Sequence, residues 1–207
     1  MSSFFSPYRH QFIRLGACVP QVAVTEPRRN ADNVLGLLDE GDKARITLMV
    51  FPELCLSAYA IDDLLFQDAV LDEVARQVDR LICASAELFP IFVVGAPLKS
   101  QGKLFNCGVV IHRGALVGVV PKVFLPNYRE FYERRHFASG DGVVGQSIAI
   151  AGSSARYRRN CQKVSPMPAL RRPCTPRLTA AARRSASTIN GGRVSASCSA
   201  WCSSVVE

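Results

Sequence analysis

The chain changes character at Gly152. Before that point 15 Lys and Arg face 16 Asp and Glu, and after it 10 face one, so a net charge of −1 gives way to one of +9. All 11 Phe precede the break, and the last 55 residues hold only seven Leu, Ile, Val and Phe beside 10 Ser, 9 Arg and 8 Ala. So little apolar surface does not offset the ordering entropy of a segment this long, and its like charges repel. The sequence therefore predicts a folded front over residues 1–152 and a disordered, low-complexity basic tail over 153–207.

The charge of +8 belongs to that tail and says nothing about the folded part. A nucleic-acid binder working through the tail would gain salt-sensitive affinity from phosphate neutralisation. It would have only Tyr157 and Trp201 to stack on bases, and no folded recognition module. No apolar run approaches the ~20 residues of a membrane helix, and MSSFFSPYRHQF lacks the apolar stretch of a secretory signal, so a cytoplasmic chain with no membrane partner is expected. In such a chain Cys18, Cys55, Cys83 and Cys107, each inside an apolar segment, are expected to be buried thiols. There is no CxxC, and His10, His112 and His136 have no ligand spacing, so no metal site is expected.

Hydrophobic patterning within the front alternates strand and helix. Residues 12–22 read as a strand, 31–44 as a short helix, and ITLMVF (46–51) as a buried strand of the kind found in a sheet covered on both faces. Residues 62–89 carry Leu64, Leu71, Val74, Val78, Leu81 and Ile82 at threes and fours, an amphipathic helix stopped by Pro90. Strands follow at 91–96, 104–112 and 115–120, the last two joined by a tight turn at Arg113 and Gly114. After a polar, aromatic loop over 121–145, SIAIA (147–151) begins a strand that develops no partner helix, and an unpaired edge after Ile150 is expected. The order specifies an α/β fold with helices packed on a sheet.

Two charged residues stand just beyond apolar strands, where α/β sheets collect catalytic groups. Glu53, in FPELCLSAY, suits a general base. Lys122, in GVVPKVFLPNYREFYERRHF, suits an oxyanion holder. Either also fits a plain surface role, as a solvated strand-end carboxylate or a snorkelling lysine. Glu130 and Glu133 follow among Tyr128, Phe131, Tyr132 and Phe137, and Arg129, Arg134 and Arg135 offer them ordinary ion pairs.

Taken together, FPE at the end of an apolar strand, LFNCGVVI before a turn, and PKxxLPxYxEFYExRxFxxG resemble the carbon–nitrogen hydrolase (nitrilase) superfamily. More narrowly, FPELCLSAYAIDDLL and LPNYREFYERRHFASGD resemble the glutaminase domain of glutamine-dependent NAD synthetases, over about residues 10–150. That resemblance implies part of a nitrilase-type αββα sandwich with a Glu, Lys, Cys triad acting on glutamine and needing no cofactor of its own. Glu53 matches the base, Lys122 the lysine and Glu133 a second, supporting glutamate. Tyr59 falls where the family lines its glutamine pocket, and Tyr128 is the other candidate for binding substrate. The resembled enzymes are homo-oligomers, and their ammonia serves an ATP- and Mg-dependent synthetase half. No GxxxxGK[ST] phosphate loop for such a half occurs here.

The likeness stops short of the nucleophile. The family carries it in a segment like EICEDLW, whereas this chain continues SSARYRRNCQKVSPMPALRRPCTPRL. Neither Cys161 nor Cys174 matches, so no nucleophile is assigned, and the chain is expected to be inactive as written. Two readings of the tail stay open. It is the out-of-frame translation of a GC-rich gene for a longer enzyme, or it is a genuine disordered extension. A stand-alone amidase of the same superfamily, acting on another carbon–nitrogen bond, is the alternative activity.

Overall fold

A computed structural model describes residues 4, 6–143, 145–150 and 153–157. The readings of residues 158–207, including Cys161, Cys174, Cys198 and Cys202, lie outside the described residues. Strands β1 (Leu15–Ala17), β2 (Leu48–Val50), β3 (Ile91–Ser100), β4 (Lys103–His112) and β5 (Ala115–Pro121) form one sheet in sequence order. The first three strands are parallel, because helices α1 (Pro27–Lys43) and α2 (Asp68–Ala84) make the crossovers between them. The last three are antiparallel, joined by tight hairpins. The α/β fold expected from the pattern is the fold observed.

Each helix turns one stripe inward. Ala31, Val34 and Leu38 of α1 and Val74, Val78, Leu81 and Ile82 of α2 recur at threes and fours, and they join Met49, Phe51, Phe92, Val94 and Ile111 in the main core. Residues 92–98 of β3 are buried without a break, as a strand covered on both faces requires. A second apolar cluster, built from Leu54, Ala58, Ile61, Leu65, Leu71, Leu104, Leu125 and Phe137, gathers three loops beyond the strand ends. That cluster holds the candidate site together.

Several expectations need correction. Strand β1 spans three residues rather than the eleven of 12–22, and Pro20, which has no N–H to donate, stands just beyond it. The helix expected over 62–89 is divided. Asp62–Phe66 is a 3-10 turn, Gln67 is extended, and α2 ends at Ala84 with Ser85 as its cap. The 3-10 turn sends Ile61 and Leu65 into the cluster under the loops, where Leu71 of α2 joins them, while Val74, Val78 and Leu81 serve the main core.

Strands 91–96 and 104–112 run on into a hairpin through Gln101 and Gly102, both with positive φ. The edge after Ile150 is not open. β6 (Ser147–Ile150) pairs antiparallel with β7 (Ser153–Arg156), Ile150 against Ser153, and Tyr157 bridges to Val119 of β5. Folded chain thus continues past the compositional break, because Ala155 and Tyr157 are buried while Ser154 and Arg156 between them face outward. Among the described residues no helix is long and apolar enough to cross a membrane, and no group of metal-binding side chains is present.

Candidate active site

The segment after β2 must cross the neighbouring strand at very short range. Phe51 N–H donates to Val93 O and Leu56 N–H to Gly95 O, so residues 51–56 lie directly on β3. A Cβ on Gly95 would come within 2.4 Å of Leu54 N and 2.5 Å of Pro52 O, so only glycine fits there. Leu54 and Ala58 adopt positive φ in this tight loop, and Ser57, fully buried, bonds to main-chain oxygens within it. Glu53 is thereby presented at the end of the parallel strands.

Lys122 continues β5 by one residue, its N–H donating to Asn106 O at 2.8 Å. Glu133 opens a 3-10 turn, Glu133–Arg135, tied by Glu133 N–H to Pro126 O. The turn is anchored below by Leu125 and Phe137 in the second apolar cluster. At the surface, Arg135 forks onto Asp63 at 3.0 and 2.7 Å, His136 approaches Asp63 at 3.3 Å, and Tyr132 donates to Asp62 at 3.0 Å. The hydrogen bond from Arg135 holds the Asp63 carboxyl below the ordinary carboxylate range.

These elements bring Glu53, Lys122, Glu133 and Tyr59 into one cluster. Lys122 Nζ donates to Glu53 Oε1 at 2.7 Å and to Glu133 Oε1 at 3.0 Å. Tyr59, from the far end of the Glu53 loop, donates its hydroxyl to the same Glu133 oxygen at 2.8 Å. The three charged side chains are 15%, 16% and 6% exposed, so their attraction acts where water screens little. Burial, then the bond to Glu133, pushes the Tyr59 phenol well above its ordinary range, so it stays a donor at physiological pH. Lysine has three N–H donors and two are committed, which leaves one for a developing oxyanion.

Tyr128 lies apart from these bonds, exposed, its ring edge-on to Phe131 at 5.8 Å. Glu130 is exposed on the same loop. One member of the cluster escaped the sequence reading: Asn106, fully buried in β4, donates Nδ2 to Glu53 Oε1. Its signal was an amide in the middle of the apolar run LFNCGVVI, a placement strands disfavour without a partner.

Among the described residues none of the nearby thiols suits a nucleophile. Cys55, two residues from Glu53, is 1% exposed and points at Gly95 O, and burial pushes its thiol up to about 12. Cys107 follows Asn106 along β4, so its side chain takes the opposite face, where it joins the core and burial raises it further. Cys18 is half-buried, and Cys83, expected to be buried, is exposed on α2. At pH 8 a thiol near 12 is ionised in only about one molecule in ten thousand. Iodoacetamide at pH 8 is therefore expected to leave Cys55 and Cys107 unmodified in the native chain and to label both in urea, as read by peptide mass spectrometry. Labelling of either at the native rate of an exposed cysteine would contradict the packing.

Residues 14–167 match the family described as carbon–nitrogen hydrolase. A glutamine-dependent NAD(+) synthetase of Mycobacterium tuberculosis is 46% identical over 155 residues, covering 75% of this chain and 23% of that protein. Its counterpart from Mycobacterium leprae is 43% identical over 145 residues, covering 69% and 21%. The chain thus spans about a quarter of the length of these relatives. A solved glutamine-dependent NAD(+) synthetase from Cytophaga hutchinsonii shares the fold with a TM-score of 0.67 at 22% identity, over 74% of this chain and 26% of that one. The carbon-nitrogen hydrolase of Helicobacter pylori gives 0.52 at 23% identity, over 63% and 46%. With the match extending over well more than half of its residues, the chain belongs to the carbon–nitrogen hydrolase family.

Proposed function

We propose that residues 14–157 form the base and oxyanion-holding half of a glutamine-hydrolysing site of the kind that supplies ammonia for NAD synthesis. The observation that carries this reading is Lys122 Nζ bridging two largely buried carboxylates, Glu53 and Glu133. In the reaction, Glu53 takes the proton of a cysteine thiol, and the thiolate attacks the side-chain amide carbon of glutamine. The uncommitted N–H of Lys122 faces the oxyanion. Glu53 returns the proton to the departing nitrogen, ammonia leaves, and water activated by Glu53 hydrolyses the glutamyl thioester. Tyr59 and Glu133 fix the lysine from its other side, and Tyr128, exposed on the loop before Glu133, is the candidate to meet substrate.

On this reading the hydrolytic step uses no cofactor, and ATP and Mg²⁺ act in a synthetase half outside the matched segment 14–167. The chain as written supplies no cysteine in the family's nucleophile context, so it is expected to release no ammonia from glutamine. A chimaera with residues 158–207 replaced by the corresponding segment of the Mycobacterium tuberculosis relative is expected to release it. Glu53→Gln in that chimaera is expected to lower the rate at least about 10²-fold, the lower end for loss of a general base. Wild-type rates in Glu53→Gln would remove the base assignment. Release from other amides but not from glutamine would make the site that of a stand-alone amidase.

A further inference from the structure

We propose that Asn106 is the positioning residue that decides which oxygen of Glu53 moves the proton. Asn106 is 0% exposed in the middle of β4 and touches both partners of the central ion pair. Its main-chain carbonyl accepts the main-chain N–H of Lys122 at 2.8 Å, and its side-chain Nδ2 donates to Glu53 Oε1. Lys122 Nζ donates to that same oxygen at 2.7 Å. Oε1 therefore carries two donors, while among the described residues Oε2 carries none. A proton adds where lone pairs are free, so Oε2 is the atom that takes the thiol proton and later gives it back.

Rotating the carboxylate to exchange the two oxygens would break both bonds at once, so the accepting oxygen is fixed before substrate arrives. The arrangement has a cost within the fold. Among the described residues Asn106 Oδ1 is buried with no partner, a defect that lowers stability. Turning the amide over would relieve nothing, since Oδ1 would then oppose the Glu53 carboxylate, acceptor against acceptor. A leucine of similar size would avoid the orphaned oxygen altogether, so packing alone does not account for an amide here.

The inference rests on the glutaminase reading only for the direction of the proton transfer, and a two-part experiment keeps the two separable. In the full chain, the Asn106 side-chain amide protons, observed by ¹H–¹⁵N NMR, are expected to shift as acidification protonates Glu53. In Glu53→Gln, which keeps the shape without a titrating proton, the same signals are expected to stay flat while the backbone amides of β4 hold their positions. Signals that ignore pH in the parent chain, or that move equally in Glu53→Gln, would overturn the inference. In the glutamine-hydrolysing chimaera, Asn106→Leu is expected to lower kcat about 10²-fold with KM within about twofold, the pattern of a misplaced catalytic group.

Asn106→Asp in the same chimaera is expected to move the acid limb of the pH–rate profile to higher pH, because a second carboxylate opposes ionisation of Glu53. A merely structural asparagine would lower the Tm of both variants and leave that limb in place, which would overturn the inference. If the NMR coupling holds but the chimaera releases no ammonia, the glutaminase reading fails and the role of Asn106 in holding Glu53 stands.

Discussion

Lys122→Met is expected to lose about 3–5 kcal/mol of folding stability at pH 7, the usual result of removing one partner from a buried ion pair. Here the effect falls on two acids. Glu53 and Glu133 are 15% and 6% exposed, and each bonds to the one ammonium, so its loss leaves two screened-off carboxylates facing each other. Against a total of about 5–15 kcal/mol for a domain, that deficit is large enough to unfold part of the population. The sign with pH follows from the charge. Urea melts should show the deficit near its full size at pH 7 and smaller on acidification, as the repulsion between the stranded carboxylates is relieved. Equal stability of variant and parent at pH 7 would show that the bridge contributes nothing. In the glutamine-hydrolysing chimaera the same substitution should lower kcat about 10²–10³-fold, through loss of the oxyanion donor.

Gly95→Ala is expected to damage the site through the main chain of the loop that carries Glu53. The added methyl would meet Leu54 N at 2.4 Å, Pro52 O at 2.5 Å and Glu53 C at 2.8 Å. All three are main-chain atoms, so no side chain can turn aside and the Glu53 loop itself must lift. Overpacking of this kind costs about 1–3 kcal/mol, and the upper end applies where backbone has to move. A displacement of about 1 Å at a catalytic group is worth about 10²-fold in rate, so hydrolysis by the chimaera should fall further than stability alone implies. Gly36→Ala provides the contrast. Gly36 is an exposed position within α1 with nothing within 4 Å of an added Cβ. There alanine should stabilise by about 0.5–1 kcal/mol through helix propensity. If Gly95→Ala behaves like Gly36→Ala, the loop is looser than its contacts indicate.

Much of this fold was written locally. Continuous apolar runs marked β2 and β3, and the Arg113–Gly114 turn marked the hairpin of β4 and β5, because period and turn chemistry are properties of neighbouring residues. Glu53, Lys122 and Glu133 were legible as motif positions, and their convergence on one nitrogen is a tertiary fact that no spacing contains. Asn106 was missed because a lone amide in an apolar strand announces only that it needs a partner. The break at Gln67 was missed because Leu64 keeps helical spacing with Leu71 although they lie in different elements. Strand β7 was hidden by its composition. Ser153–Arg156 belongs chemically to the basic tail, and alternate burial of Ala155 and Tyr157 is too short a pattern to outweigh that.

The latch at the rim has a bearing on the solution conditions in which such a site keeps its shape. Two kinds of bond link the segment bearing Tyr59 to the turn bearing Glu133. The inner one, Tyr59 to Glu133, involves a neutral donor and a buried oxygen, and dissolved salt barely reaches it. The outer one is a set of exposed charges around Asp63, with Arg135 and Asp63 both 59–62% exposed. Mobile ions shorten the reach of such attractions from roughly 8 Å at physiological ionic strength to roughly 3 Å at 1 M. Because the Arg135 bond lowers the Asp63 carboxyl below its unfolded value, the latch contributes fully above the ordinary carboxylate range and is lost as pH falls through the folded value. The mouth of the site therefore answers to brine, while the proton-handling centre beneath it, held between largely buried partners, is shielded from dissolved ions.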